Sequence, residues 1–337
     1  MMEQERKYRL LTLAETVERL CERKKTVILC HTRPDPDTFG SAIALKKLLL
    51  DMGIEARVAC DTQRPRRIAF LPDEQESYLL EDVTKDFEAE RYISVDTASP
   101  AQLGALEHLS GSVSLMIDHH ERGEQYADGY IAPGISATGE LILRIAEDLL
   151  DRGLVEKIGA DIAICIYAAI SSDTGCFKYS SVTPETHLAA AKLLGMGINA
   201  AEINHFLFDS KPFPQLLAEK LGFSRLQLFE DGKIAIISFP FELKEEHGIE
   251  EQYMETLVDV ARSVEGVQIA AVIKQPTGEG VFRCSMRSSC EADVAKICAE
   301  LGGGGHAKAA GCTVFAESIE KATETVYSHI LAAFNKK

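Results

Sequence analysis

The segment TVILCHTRPDPDTFGSAIALKKLLLDM (26–52) begins with an apolar run and continues, after a polar loop, into a helical pattern. We predict a buried strand over residues 26–31 and a helix from about Thr38 to Met52. Three more apolar runs of strand length follow: EARVAC (55–60), YISVD (92–96) and SLMID (114–118). Because strands that alternate with helices form parallel sheets with crossover helices, the first half of the chain is predicted to be an α/β domain.

The second half of the chain predicts further helices and another sheet. Helical patterns cover three stretches: Ser136–Leu150, Asp161–Ser171 and residues 184–197. After two prolines in DSKPFP (209–214), strand patterns appear in KIAIISF (233–239), GVQIAAVIK (266–274) and EGVFRCSMRS (279–288). A turn at residues 275–280 joins the last two strands, so a small mixed sheet with helices is expected here.

The length of the chain predicts two domains. A chain of 337 residues exceeds the usual size of one hydrophobic core. We expect a parallel-sheet α/β domain at residues 1–190, a linker at 191–218 and a smaller mixed-sheet α/β domain at 219–337. An active-site cleft is expected between the two domains.

The composition limits the partners of the protein. The formal charge of −16 disfavours binding of long duplex nucleic acid, so any nucleic-acid substrate should be short. The longest apolar run, Ile162–Ile170, is too short to span a membrane, and no secretory segment follows the charged start. Nine scattered cysteines indicate reduced thiols. We expect a cytoplasmic protein without a membrane partner; a homodimer is compatible with the sequence, which does not fix the number of subunits.

Polar residues follow three of the predicted strands. These residues are His31, Asp96 and the triplet Asp118-His119-His120. Since ligands bind at the carboxyl ends of parallel strands, one site assembled from several strand ends is expected. Asp173, in ISSDTGCF, adds a carboxylate at the end of another apolar segment.

The loop HTRPDPD supplies the densest group of potential metal ligands. His31, Asp35 and Asp37 lie in it, and Pro34 and Pro36 restrict its backbone. Imidazole and carboxylate groups in a stiff loop suit a divalent cation such as Mn²⁺. Taken alone, an Asp-rich turn before a helix is also typical of an N-cap, so this loop does not decide between the two roles.

Four motifs together resemble one family. HTRPDPD, VDT, DHH and SSDTGCF occur in the order and approximate spacing found in the DHH phosphoesterase superfamily. The resemblance implies that His31, Asp35 and Asp96 hold one Mn²⁺ and that a second Mn²⁺ is held by Asp37, Asp96, His119 and Asp173. Mg²⁺ or Co²⁺ are the expected substitutes. The resemblance also implies that His120 faces the scissile phosphate and that Asp118 orients the histidines.

Two neighbouring cations suit phosphate-ester hydrolysis for a physical reason. A phosphodiester is negatively charged and repels hydroxide, whereas two cations roughly 3.5–4 Å apart bind its oxygens and lower the pKa of water between them.

The C-terminal region carries a second resemblance. FRCSMRS (282–288) and GGGGHAKAAGC (302–312) are similar to the DHH-associated C-terminal domain, a substrate-binding domain. The glycine run would let phosphate approach the backbone, with N–H groups and a helix start supplying positive potential. Arg283 and Arg287 alternate on one strand face. The substrate-binding residues expected from this region are Arg283, Ser285, Arg287, Gly303, Gly304, Gly305 and His306.

The resemblance implies an enzyme that hydrolyses phosphate esters. RecJ nucleases of this superfamily are generally longer, and family II pyrophosphatases lack the glycine-run domain. The nanoRNase (oligoribonuclease) and pAp phosphatase branch fits best, with short single-stranded RNA or DNA oligonucleotides and small nucleotides as substrates. A cyclic-dinucleotide or linear-dinucleotide phosphodiesterase is the alternative. An inactive nucleotide sensor is disfavoured because every expected ligand is present.

Overall fold

The computed structural model describes residues 8–121 and 123–334, except for the side chain of His306. The chain divides into two compact units, Met1–Ser210 and Lys211–Lys337. Their boundary falls inside DSKPFP (209–214). The segment expected to be a linker, 191–218, is mostly helical: it contains the end of one helix, a short helix, a helical turn and the start of a further helix. The cleft expected between the domains stays a prediction.

The first unit is built around five strands in the order β2-β1-β3-β4-β5. The strands are β1 (Thr26–Leu29), β2 (Ala56–Ala59), β3 (Arg91–Val95), β4 (Val113–Asp118) and β5 (Gly129–Ile131). All neighbouring strands are parallel, which confirms the predicted parallel sheet. The chain runs from β1 outward to β2 and then returns to the other side of β1 to form β3. The strand order therefore reverses between β1 and β3.

Helices cover the sheet of the first unit. They are α1 (Leu13–Leu20), α2 (Pro36–Asp51), α3 (Leu80–Thr84), α4 (Thr138–Asp151), α5 (Ala160–Asp173), α6 (Pro184–Gly195) and α7 (Ala200–Asn204). Short helical turns occupy Arg66–Ile68 and His205–Asp209, and a longer run of 3₁₀ turns, interrupted at Gly104, covers Pro100–Ser112. One core contains residues of β1, α2, α4 and α5. On the other face of the sheet, Val27 and Leu29 pack with residues of the Pro100–Ser112 segment.

Two glycines allow α2, α4 and α5 to pack closely. A Cβ added at Gly40 of α2 would lie 2.5 Å from the carbonyl oxygen of Cys165 in α5. A Cβ added at Gly139 of α4 would lie 2.7 Å from the Cβ of Ala169, also in α5. Because real Cβ atoms do not approach that closely, both positions require glycine at the present helix spacing. This packing fixes the N-termini of α2 and α4 and the C-terminus of α5.

The second unit contains a mixed sheet of six strands in the order β10-β11-β9-β8-β7-β6. The strands are β6 (Leu226–Phe229), β7 (Ile234–Phe239), β8 (Ile269–Lys274), β9 (Val281–Ser288), β10 (Gly304–His306) and β11 (Ala309–Phe315). β7 and β8 are parallel and the other pairs are antiparallel. The predicted mixed sheet is therefore confirmed.

Helices pack on both faces of the second sheet. They are α8 (Phe213–Phe223), α9 (Phe241–Glu246), α10 (Leu257–Arg262), α11 (Val294–Glu300) and α12 (Ile319–Phe334), with a helical turn at Glu251–Met254. One core joins the sheet to α11 and α12, and another joins it to α8 and α10. β7 and β8 are consequently buried on both faces. Within the described residues, every helix is too short or too polar to cross a lipid bilayer.

Candidate active site

The central strands of the first sheet bring the histidine and aspartate residues to one edge. His31 follows β1, Asp96 follows β3, and the triplet Asp118-His119-His120 begins at the last residue of β4. β1 and β3 are the neighbours between which the strand order reverses, and such a reversal opens a crevice at the carboxyl ends of the strands. The sheet therefore places these residues where α/β proteins bind ligands.

The first group of potential metal ligands contains His31, Asp35 and Asp96. The Nε2 atom of His31 lies 3.5 Å from a carboxylate oxygen of Asp35 and 3.5 Å from Oδ2 of Asp96. Asp35 is also the N-cap of α2, because its Oδ1 accepts the backbone N–H groups of Asp37 and Thr38. The N-cap role and a metal-ligand role thus fall on the same carboxylate. The same atom, Oδ1 of Asp35, accepts from the N-terminus of α2 and lies near Nε2 of His31.

The second group contains Asp37, His119 and Asp173. The Nε2 atom of His119 lies 3.3 Å from Oδ2 of Asp173 and 3.8 Å from Oδ2 of Asp37. Asp37 comes from the first turn of α2, and Asp173 is the last residue of α5. The close packing of these two helices thus brings together carboxylates that are far apart in the sequence.

Asp96 lies between the two groups. Its Oδ2 faces His31, whereas its Oδ1 lies 3.5 Å from Nε2 of His119. Asp96 is 3% exposed and has a positive φ of 55°, a left-handed conformation that aspartate tolerates better than most residues. Two donor sets therefore share this carboxylate.

Backbone carbonyl groups orient two of the histidines. The Nδ1 atom of His31 lies 2.8 Å from the carbonyl oxygen of Thr32, and Nδ1 of His119 lies 2.9 Å from that of Ile135. A carbonyl can only accept, so each Nδ1 carries the proton and donates. Nε2 is therefore the ring nitrogen that can bind a cation once its own proton has left, which is the tautomer that a metal ligand requires.

The N-terminus of α4 contributes residues that the sequence did not reveal. The backbone N–H groups of Thr138 and Gly139 donate to Oδ2 and Oδ1 of Asp37 at 2.8 and 2.9 Å, and the Thr138 hydroxyl donates to Oδ1 of Asp96 at 3.1 Å. Ser41 donates to Asp37 as well. The small residues of SATGE, at the start of a helix, were the available signal. These contacts hold the buried carboxylates of Asp37 and Asp96 in position.

His120 is held differently from the other two histidines. Its Nδ1 lies 2.7 Å from Oδ1 of the buried Asp118 and 3.7 Å from Oδ1 of Asp96. The shorter contact assigns the Nδ1 proton to Asp118. Asp118 thus orients His120 in particular, whereas His31 and His119 are oriented by carbonyl groups.

The cluster concentrates negative charge in a buried place. Burial raises the pKa of Asp37 well above its usual range, and the charges of Asp96 and Asp173 raise it further. Burial also raises the pKa of Asp173, to about 6. Burial alone would lower the pKa of His31 and His119, but the nearby carboxylates raise both values to about 11. The carboxylates therefore draw cationic charge to this site.

The donor set fits a divalent cation. Two donor atoms that each lie about 2.1 Å from one cation are roughly 3.0–3.4 Å apart. The separations of 3.3–3.8 Å around Nε2 of His31 and His119 are close to this spacing. Carboxylate oxygens and imidazole nitrogens without a thiolate suit Mn²⁺, Mg²⁺ or Co²⁺ better than a soft metal.

The predicted substrate-binding residues of the second unit lie on one strand face. Arg283, Ser285 and Arg287 alternate along β9 with buried residues of the opposite face. Arg283 is exposed and donates to Glu251 at 2.9 Å, so an anionic ligand would compete with that carboxylate. Arg287 is partly buried.

The expectation of a helix start at the glycine run was wrong. α11 ends before Gly302, and Gly304–His306 forms strand β10, which pairs with β11. Gly302 has a φ of 74° after the helix end, and a Cβ added at Gly303 would lie 2.2 Å from the carbonyl oxygen of Gly311. These glycines are explained by a helix stop and a tight hairpin. The His306 side chain lies outside the described residues, so its predicted role stays a prediction.

Family models match both units. The model of the DHH family, N-terminal domain, matches residues 25–170, and that of the DHHA1 domain matches residues 231–331. The bifunctional oligoribonuclease and PAP phosphatase NrnA of Thermus thermophilus is 32% identical over 301 residues, which cover 89% of this chain and 87% of that protein. The cyclic-di-AMP phosphodiesterase PdeA of Listeria monocytogenes is 26% identical, covering 98% of this chain and 51% of that protein.

A solved structure has the same fold. It is an exopolyphosphatase-related protein from Bacteroides fragilis, with a TM-score of 0.86, 24% identity and coverage of 95% of this chain and 96% of that chain. The sequence motifs, the family models and the relatives agree. The chain belongs to the DHH family of phosphoesterases and is a hydrolase that acts on phosphate ester bonds.

Proposed function

We propose that the protein is a Mn²⁺-dependent phosphoesterase that hydrolyses short oligoribonucleotides, 3′-phosphoadenosine 5′-phosphate (pAp), or both. One cation would be held by His31, Asp35 and Asp96. The second would be held by Asp37, Asp96, His119 and Asp173. When bound, the cations would neutralise phosphate charge and lower the pKa of water.

The position of Asp96 carries the proposal. Its two carboxylate oxygens face different histidines, at 3.5 Å in each case, and each histidine has further carboxylates around it. A single carboxylate that contributes to two donor sets is the arrangement expected for a pair of cations rather than for one.

The residues around the cluster have distinct roles in this proposal. The N–H groups of Thr138 and Gly139 hold Asp37 in place. His120, whose Nδ1–H is donated to Asp118, would use Nε2 to stabilise the phosphate or to protonate the leaving oxygen. Arg283, Ser285 and Arg287, with Gly303–Gly305 and His306, would bind another part of the substrate.

The nature of the substrate is supported by the relatives. The Thermus thermophilus relative is named for oligoribonuclease and PAP phosphatase activity and matches nearly the whole chain. A cyclic-dinucleotide or linear-dinucleotide phosphodiesterase is the second candidate, since a cyclic-di-AMP phosphodiesterase is also similar over 98% of this chain. We place the enzyme in the cytoplasm, where the nine thiols found free among the described residues would stay reduced.

A substrate panel tests the proposal. The purified protein with Mn²⁺ is incubated with RNAs of graded length, pAp, linear and cyclic dinucleotides, and pyrophosphate, and the products are separated by chromatography. The proposal expects turnover of short oligoribonucleotides or pAp that disappears with EDTA and returns best with Mn²⁺. Preferential cleavage of the cyclic dinucleotide would favour the second candidate. Full activity of metal-free protein, confirmed by elemental analysis, would contradict both.

A further inference from the structure

A basic segment is held in a fixed position beside the loop HTRPDPD (31–37), called here the metal-ligand loop. This segment, Arg64–Leu71, includes the helical turn Arg66–Ile68. The Arg64 guanidinium donates to the carbonyl oxygens of Ile68, at 2.8 and 3.0 Å, and of Leu71. These bonds close the segment on itself, so its exposed side chains project from a rigid base.

A buried ion pair anchors the chain directly after this segment. Lys46 of α2 pairs with Asp73, whose side chain is 3% exposed, and the Tyr78 hydroxyl donates to the same carboxylate at 2.9 Å. Since α2 also carries the metal-ligand loop at its N-terminus, the basic segment and that loop are tied to one helix.

Arg67 of the basic segment points to the metal-ligand loop. Its Nη2 atom lies 3.5 Å from the carbonyl oxygen of Pro34, the residue before Asp35. Burial raises the pKa of Asp35, but His31 and, to a smaller extent, the charge of Arg67 bring it below its usual value. Arg67 is exposed. In the described part of the chain, its side chain makes one hydrogen bond, the long contact with the carbonyl oxygen of Pro34. A guanidinium has five N–H donors, so an anion at the cluster can still be bound.

An aromatic pair lies next to Arg67. The turn Arg66–Ile68, which contains Arg67, packs against the helical turn His205–Asp209, which contains Phe206, and Phe70 follows the first turn by two residues. The Phe70 ring stacks on Phe206, with centroids 5.1 Å apart and an angle of 15° between the planes. Phe206 is 39% exposed, so part of its ring is available to a ligand. Phosphate-binding and stacking groups thus occur together beside the cluster.

We propose that Arg67 and Phe206 form a nucleotide subsite within the first unit. Arg67 binds a phosphate other than the one that is cleaved, and the exposed face of Phe206 stacks on a base. The subsite rests on the proposed function, because it assigns the nucleotide that lies beside the metal cluster. It would select substrates that carry a second phosphate, such as a terminally phosphorylated dinucleotide.

Arg67→Ala tests the phosphate contact. The substrates are a dinucleotide with a terminal phosphate at the 5′ end, one with it at the 3′ end, and one with neither. Loss of a charge-assisted contact should lower kcat/KM about 10-fold or more on at least one phosphorylated form and less than about twofold on the unphosphorylated form. Arg66→Ala is the matched control, since Arg66 is exposed and adjacent but projects in another direction. Metal content should be unchanged in both variants.

Phe206→Ala tests the stacking contact. It should lower kcat/KM about fivefold or more on all three dinucleotides and leave methyl p-nitrophenyl phosphate, which lacks a base, nearly unaffected. Phe206→Tyr keeps an aromatic ring and should restore activity. The melting temperature of each variant distinguishes loss of contact from loss of fold.

Some outcomes would overturn the subsite. An equal loss of kcat/KM on all three dinucleotides in Arg67→Ala would do so. A loss in Arg66→Ala as large as that in Arg67→Ala would also do so. Equilibrium binding of the phosphorylated dinucleotides to Mn²⁺-loaded protein is measured alongside. If the wild type cleaves nothing, the proposed function fails, while the subsite stands or falls on whether Arg67→Ala weakens this binding about 10-fold or leaves it unchanged.

Discussion

The backbone of Asp96 has a φ of 55°, in a region that Asn and Asp adopt more readily than other non-glycine residues. Asp96→Asn keeps the size and the backbone tolerance of the residue but removes its charge. We expect the variant to fold, to contain less Mn²⁺ than the wild type, and to turn over substrate roughly 10²-fold or more slowly. Elemental analysis measures the metal content.

Asp96→Ala is the informative comparison. Alanine at a left-handed position costs roughly 1–2 kcal/mol of stability, so this variant should melt at a lower temperature than Asp96→Asn. Wild-type metal content in Asp96→Asn would contradict the shared-ligand role.

The histidines of the triplet should separate in mutagenesis. His120 is bonded to Asp118, whereas Nε2 of His119 faces three carboxylates. His120→Ala should keep nearly normal metal content and lose roughly 10²-fold in turnover. His119→Ala should lose metal first. Loss of one metal equivalent in His120→Ala would instead make His120 a ligand.

At the residue scale, the sequence predicted which side chains come together but not what holds them. His31, Asp96 and His119 were predicted from strand ends and motifs, and they meet in the structure. Thr138 and Gly139 were missed because they act mainly through backbone N–H groups, which nearly every residue type can supply. Side-chain chemistry is readable in a sequence, whereas backbone contacts depend on tertiary packing.

At the scale of the elements, the close contact between α2 and α5 is expected to set the distance between Asp37 and Asp173, and a substitution at this contact can test that. Gly40→Ala would place a Cβ 2.5 Å from a backbone oxygen of α5, so one helix must shift. We expect a loss of roughly 1–3 kcal/mol in the free energy of unfolding, measured with urea, together with weaker metal binding. Gly195→Ala, where an added Cβ meets nothing within 4 Å, is the control and should neither destabilise the protein nor weaken metal binding. Unaltered metal affinity in Gly40→Ala would show that helix spacing does not set the site.

The element boundaries were predicted best where apolar runs were long. The predicted strand at residues 114–118 lies within β4, and the predicted helix at 184–197 begins where α6 begins. Four strands were missed: β5, β6, β10 and β11. The first three have only three or four residues, too few for a periodic pattern, and β11 begins within the segment that was interpreted as a glycine-rich phosphate loop. A helix start was wrongly expected at the glycine run because a hairpin and a loop that opens a helix have similar glycine-rich compositions.

For the whole molecule, metal binding should be linked to pH. The carboxylates raise the pKa of His31 and His119 to about 11. In the metal-free protein at neutral pH, both rings are therefore positively charged and carry a proton on Nε2 as well as on Nδ1. These protons must leave before Nε2 can bind a cation, so affinity should rise with pH. Below about pH 6, Asp173 also takes up a proton and affinity should fall further.

Calorimetry measures this linkage. Titrating Mn²⁺ into metal-free protein in buffers of different ionisation enthalpy should show net proton release at pH 7. An apparent enthalpy that is independent of the buffer would contradict it.

The bonds from Thr138 and Gly139 to Asp37 also bear on the order of folding. They join residues 101 and 102 positions apart, and the N-cap residue of α4, Ala137, has no side chain that can accept in their place. The first turn of α4 can therefore be completed only after α2 has docked, late in assembly. In hydrogen exchange, the amides of Thr138 and Gly139 should gain protection after those in the middle of α4. Asp37→Ala should leave these two amides exchanging rapidly in an otherwise protected helix.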